Sequence, residues 1–195
     1  MCGRYYLGEK TAYEIQRELE MEDKSLNIRP GDVTPASTPI VLSAKKDGDK
    51  RMIQIGTMFW GIDGKDNKLI INARAESVLT KPMFSASFEH RRCVMPADSF
   101  YEWDRQKNKV TFYRKDRAPI YLAGIYQLSK NQDSFAILTT EANASMIKVH
   151  DRMPLMIERE KVSDWLYDYE AAKSMIDAEM PLLESSQEYE QLSLF

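Results

Sequence analysis

The sequence predicts an α+β fold in a single domain, mainly antiparallel sheet or open barrel with helices at its periphery. Three observations lead there. Short β-favouring runs recur through most of the 195 residues, punctuated by turns rich in Asp, Asn, Gly and Lys. Helical periodicity is confined to the two ends. No interior stretch is polar or Pro/Gly-rich enough to be a linker, and a chain of this length can bury one core.

In chain order, a short extended start leads to Thr11-Ala12-Tyr13-Glu14, a Thr-x-x-Glu capping box with Ile15 and Leu19 one turn apart behind it. A helix is expected from about Thr11 to Glu22. Between Asn27 and Pro35 two prolines constrain the backbone, which predicts an ordered loop. Pro39 to Ala44 and Met52 to Trp60 read as a hairpin around Asp47-Gly48-Asp49. Further strands are expected at Leu69–Asn72, Val94–Pro96, Val110–Arg114, Ile120–Tyr126, Phe135–Thr140 and Leu155–Ile157, and helices at Val162–Tyr167 and Glu170–Ala178. The domain is expected to span 1–183, with a flexible tail at 184–195.

A composition of 43% hydrophobic and 29% charged residues excludes a disordered or fibrous chain. The start lacks the apolar run of a signal peptide and no stretch is long enough to span a bilayer, so no membrane partner is expected. Cys2 and Cys93 are the two cysteines, and a free thiol is the expectation for both. Neither a cofactor nor a metal is indicated. The net charge of -3 leaves room for a local basic groove: acidic residues lean to the ends, while Arg74, Arg91, Arg92, Arg105, Arg114, Arg117, Lys148 and Arg152 lie in the middle.

Cys2 is small enough for removal of Met1, which would leave one residue bearing both a thiol and a free α-amine. An α-amine titrates at roughly 7.7 to 8.0, so a useful unprotonated fraction can attack a carbonyl. The thiol can then close a five-membered thiazolidine ring on the resulting imine, a more durable adduct than the imine alone.

Three later segments concentrate polar chemistry: Ile71-Asn72-Ala73-Arg74-Ala75-Glu76, Pro96-Ala97-Asp98-Ser99-Phe100-Tyr101-Glu102-Trp103 and Val149-His150-Asp151-Arg152-Met153-Pro154. Together with the initial Cys-Gly-Arg and Leu-Thr-Thr-Glu-Ala-Asn, these resemble the SRAP family, the SOS-response-associated peptidases, from Cys2 to about Trp165 with every motif in order. The resemblance implies a protein that senses abasic sites in single-stranded DNA, crosslinks to them through its N-terminal cysteine, shields them from cleavage and releases its own initiator methionine. Carried over by position, Cys2 is the nucleophile, Asn72 orients the Cys2 end, and Glu102 and His150 handle protons. Departures are Ser99 where the family usually has glycine, Arg29 before Pro30 where a smaller residue is expected, and a short chain overall.

The chemistry of the side chains agrees with those roles. A carboxyl group such as Glu102 can promote opening of the closed sugar and dehydrate a carbinolamine, and a histidine such as His150 belongs to the side-chain type suited to proton transfer near neutral pH. His90, in a charge-rich stretch with no motif, reads as a solvated residue. Arg4, Arg74 and Arg152 offer guanidinium forks for phosphates, and Trp60 and Trp103 offer stacking surfaces for unstacked bases. Trp165, at a helix start, reads as core. The substrate is expected to be single-stranded, since a duplex would hide the sugar.

At the other end, Gln191-Leu192-Ser193-Leu194-Phe195 resembles the pentapeptide that binds the bacterial DNA polymerase sliding clamp. A terminal strand burying Leu192, Leu194 and Phe195 would use the same residues. Rival readings are a cysteine hydrolase acting on peptides through Cys2, His150 and Asn72, and a noncatalytic module recruited to the clamp. A cytoplasmic, nucleoid-associated monomer is the expectation.

Overall fold

The structure is a computed structural model that describes residues 2–18, 28–47 and 50–187. In chain order its elements are β1 (Tyr5–Leu7), α1 (Glu9–Glu18), β2 (Gly31–Val33), β3 (Ile40–Asp47), β4 (Lys50–Thr57), β5 (Phe59–Trp60), β6 (Ile62–Asp63), β7 (Leu69–Ile70) and β8 (Asn72–Arg74). There follow α2 (Ala75–Val78), α3 (Ser85–His90), β9 (Arg92–Ala97), β10 (Ser99–Trp103), β11 (Lys109–Tyr113), β12 (Ile120–Gln127) and β13 (Ser134–Glu141). The last are β14 (Arg152–Pro154), β15 (Met156–Ile157), α4 (Val162–Tyr167), α5 (Tyr169–Ile176) and β16 (Glu184–Gln187). The α+β class expected from the sequence is the one observed.

The strands form two principal sheets that face each other. One has the order β16-β11-β10-β1-β2, and the other runs β14-β13-β12-β9-β3-β4, with β5 and β8 joining β13 in parallel and β15 pairing β12. Between them lies a core of Cys2, Tyr5, Trp60, Met95, Phe100, Phe112, Leu122, Phe135 and Ile137. A second core, with Val94, Ala123, Ile125 and Leu138, covers the opposite face of the larger sheet with Phe88, Trp165, Leu166 and Ile176 from the helices. β9 is therefore buried along its whole length, as a strand covered on both faces must be. Pro96 is tolerated there because β3 pairs β9 only at Leu42↔Val94 and Ser43↔Cys93, leaving no strand on that side at Pro96 to receive an N–H.

Buried polar groups tie the layers together. The Arg92 guanidinium, 4% exposed, donates from Nη1 to the carbonyls of Phe88 and Glu89 at 2.6 and 2.8 Å, and from Nη2 to Leu166 O at 3.3 Å. It thus satisfies carbonyls at the ends of α3 and α4 that their own helices leave open. Trp165 donates from Nε1 to Cys93 O at 3.0 Å and is wholly buried, as its sequence position suggests.

Two boundaries differ from expectation. Helix α1 starts at Glu9, ahead of the Thr-x-x-Glu box, because the Thr11 hydroxyl bonds Asp98 Oδ1 at 2.7 Å while Asp98 Oδ2 accepts from Gly8 N at 2.6 Å. The cap is supplied from β10's approach, not locally. Residues 184–187, placed in the tail by the sequence reading, form β16 on the edge of the smaller sheet, in register with β11 from Val110↔Gln187 to Tyr113↔Glu184. Residues 191–195 of the clamp-like motif, and the expected helix end beyond Glu18, lie outside the described residues.

Candidate active site

The larger sheet gathers the motifs on either side of one strand. On one side of β13, β8 runs parallel with Asn72 opposite Ile137 and Arg74 opposite Thr139. On its other side, β14 runs antiparallel with Arg152 opposite Glu141. The smaller sheet brings the N-terminal segment alongside β10, where Tyr101 N–H donates to Arg4 O at 3.0 Å. Segments some 70 to 150 residues apart in sequence thereby converge.

Cys2 is fully buried in the core between the sheets. Its thiol points to Arg4 O at 3.9 Å, and its carbonyl accepts from Asn72 Nδ2 at 3.1 Å. Asn72 is held in turn: Ile71 O, next to it in the chain, accepts from Ile137 N at 3.0 Å and from Trp60 Nε1 at 2.9 Å. The Asn72 Oδ1 acceptor is buried without a hydrogen-bond partner among the described residues, an arrangement that a native fold seldom leaves without purpose. Burial, and secondarily the negative charge of Glu102, pushes the Cys2 thiol up to about 12.

Glu102 lies on β10 opposite Val110, two residues from Phe100 and so on the same inward face, and it is 4% exposed. Trp103, one residue on, faces outward at 39% exposure, with the Arg4 guanidinium 5.5 Å from its ring centroid. Arg4 also approaches Asp32 at 3.8 Å. An exposed cation and an exposed ring thus sit side by side next to the buried cysteine. Arg74, at the end of β8, is exposed as well.

His150 precedes β14 with about a quarter of its side chain exposed. Its Nδ1 accepts from Arg152 N at 2.9 Å, which leaves the ring proton of the neutral form on Nε2. His90 is exposed on the far side of the larger sheet, as the sequence suggests for a solvated residue.

Two expected DNA contacts take other roles. Trp60 is fully buried, 5.5 Å from Tyr5 and 6.0 Å from Phe135 between ring centroids, so no base can reach its faces. It is a core residue whose indole N–H fixes the strand before Asn72. Arg152 is also buried: Nη1 and Nη2 clasp both carboxylate oxygens of Glu76 at 2.8 Å, and Nη2 donates to Thr139 O at 2.6 Å. Its fork is filled by protein, so the open phosphate ligand read from the sequence is absent here. The sequence motif shows Glu76 but not its partner 76 positions away.

Burial acts to raise the Glu76 pKa, but the two bonds from Arg152 outweigh it and hold the carboxyl below its ordinary value. Such a group contributes stability that is fully present above its unfolded pKa of roughly 4.3 and is lost as pH falls through the lower folded value. Glu76→Gln is therefore expected to flatten the acid limb of a stability profile, read as urea midpoint against pH. An acid limb identical to that of the wild type would show that the pair contributes nothing to it.

Among the described residues no group of three His, Cys, Asp or Glu side chains is placed to hold a metal, and no helix is long and apolar enough to cross a membrane. Comparison with solved structures gives a TM-score of 0.74 to a protein from Bacteroides thetaiotaomicron, at 20% identity over 97% of this chain and 93% of that one. A phage-related protein from Bordetella bronchiseptica gives 0.75 at 20% identity, over 95% and 93%. Among characterised sequences, the chain is 31% identical to the abasic site processing protein YoaM of Bacillus subtilis, over 85% of this chain and 79% of that protein. It is 27% identical to the abasic site processing protein YedK of Escherichia coli, over 85% and 79%. The SOS response associated peptidase (SRAP) family model matches residues 1–193, and the chain belongs to that family.

Proposed function

We propose that this protein processes abasic sites in DNA, and that it does so by bonding covalently through Cys2, once Met1 is removed, to the aldehyde of such a site in a single strand. The names of the relatives support the first part. The observation that carries the second is the seating of Cys2: buried, held by Asn72 through its carbonyl, and placed next to the charge of Glu102. A cysteine used only as a small residue after the start would need none of this.

In this reading the freed α-amine attacks the aldehyde carbon of the ring-opened sugar, giving a carbinolamine. Glu102 takes the proton that the nitrogen loses and delivers it to the departing hydroxyl, and water leaves to form the imine. The Cys2 sulfur then bonds to the imine carbon, the C=N electrons pass to nitrogen, and the thiol proton ends on that nitrogen through Glu102. The balance is aldehyde plus aminothiol giving thiazolidine plus water. Burial, which disfavours the charged form of the sulfur, suits this order, amine first and sulfur second, because the sulfur need lose its proton only as the ring closes. Asn72 Oδ1 stands ready to accept from the new amine, and His150, with its proton on Nε2, serves the sugar oxygen. Arg4 and Arg74 meet phosphates and Trp103 stacks on a base.

An oligonucleotide with one abasic site is expected to retard the wild-type protein in a denaturing gel, and Cys2→Ala to remove the band. Turnover of a peptide with no retarded band would favour the hydrolase reading instead. The last five residues, in the same proposal, tether the protein to the sliding clamp in the bacterial cytoplasm where replication exposes single strands. Deleting Gln191 to Phe195 should then abolish clamp binding and leave crosslinking in vitro intact.

A further inference from the structure

His150 is claimed by two neighbours that cannot both be satisfied. Its Nδ1 accepts the Arg152 backbone N–H at 2.9 Å, which requires a lone pair on that nitrogen. The Asp151 carboxylate lies 3.0 Å from the same atom and is attracted to it only when Nδ1 carries a proton. The firmness with which the Arg152 main chain is held decides between them.

Arg152 is held firmly. Its side chain is 10% exposed, both terminal nitrogens clasp Glu76, and Nη2 also reaches Thr139 O on the neighbouring strand. Asp151, by contrast, is 81% exposed, so solvent screens its pull. We propose that Glu76 is a positioning residue for His150: by anchoring Arg152 it keeps the backbone N–H on Nδ1 and fixes the Nε2–H tautomer against the competing Asp151 carboxylate. The value of that tautomer to the reaction rests on the proton-handling role proposed for His150 above. A ring fixed in this form carries its N–H donor on Nε2 and needs no prior protonation to donate from it. Glu76 is thus the working part of the Asn-Ala-Arg-Ala-Glu motif that the nucleophile, the orienting amide and the exposed arginine leave unexplained.

The test reads the ring directly. His90→Gln leaves His150 as the sole histidine, and long-range ¹H–¹⁵N spectra of the neutral imidazole then report which nitrogen carries the proton. In that background the Nε2–H pattern is expected, Glu76→Gln should shift the population toward Nδ1–H, and adding Asp151→Asn should restore Nε2–H. Crosslinking to abasic single-stranded DNA by Glu76→Gln should slow roughly tenfold, short of the ~10²- to 10⁴-fold supplied by an acid–base group itself. Near-ultraviolet circular dichroism checks the fold; should Glu76→Gln not fold, Glu76→Asp, one methylene shorter, takes its place. A folded variant that keeps the wild-type tautomer pattern overturns the proposal and makes Glu76 purely structural. A shifted tautomer with unchanged crosslinking upholds the positioning role and removes His150 from proton transfer. Absence of any crosslink in the wild type refutes the covalent reading while the spectra still decide the tautomer.

Discussion

Replacing Glu102 with glutamine is expected to slow covalent capture of an abasic aldehyde by about 10²- to 10³-fold, the contribution of a well-placed general acid–base group. The substitution keeps size and shape on a buried inward-facing position of β10, so DNA affinity and stability should stay close to wild type. Single-turnover gel kinetics and fluorescence anisotropy separate the two. The same variant carries a second signed expectation. Glu102's charge opposes ionisation of Cys2, so its removal should lower the thiol pKa, leaving it above the ordinary value because burial is the larger cause. A pH profile of thiol alkylation reads this. A more acidic thiol paired with slower capture would show that Glu102 acts by moving protons. Equal losses of rate and affinity would instead make it a structural residue.

The next largest effects separate two tryptophans that look alike in the sequence. Trp60→Ala should cost about 3–5 kcal/mol of stability, because it empties a ring-sized volume between the sheets and frees Ile71 O from its indole donor. Trp103→Ala should leave stability nearly untouched yet weaken single-strand binding by about 1–3 kcal/mol, the worth of one base stacked on a ring. Urea unfolding and anisotropy, measured on both variants, give a crossed pattern if the assignment holds. Loss of affinity in a still-folded Trp60→Phe, with none in Trp103→Ala, would reverse it.

The strands were legible because alternating apolar residues and turn signals are local. Ile120–Gln127 and Ser134–Glu141 extend the expected runs by a residue at one or both ends, and α4 matches its expected limits. Elements made by distant partners were not. Helix α3 has no side-chain cap and no strong periodicity, and it is closed by Arg92 from the next strand. β16, Glu184-Ser185-Ser186-Gln187, has no apolar alternation and forms by pairing at the edge of β11, with Gln187 Nε2 bonding Asp104 Oδ2 at 3.1 Å. The site divides in the same way. Residue types within motifs nominate Cys2, Asn72, Glu102 and His150 as candidates, whereas exposure separates Trp103 from Trp60 and Arg4 from Arg152. Exposure depends on which face of a strand meets the second sheet, and no local pattern at a strand's end encodes that.

The central claim is that the working group is the aminothiol of Cys2, and intact mass spectrometry tests it most directly. The purified protein should lack the mass of Met1, and after incubation with an abasic single-stranded oligonucleotide it should gain the mass of that oligonucleotide less one water. That product should survive denaturation without a reducing agent, since a ring closed by sulfur is not a simple imine. Met1 retained on a protein that still crosslinks, or an adduct that forms equally well in Cys2→Ala, would contradict the account.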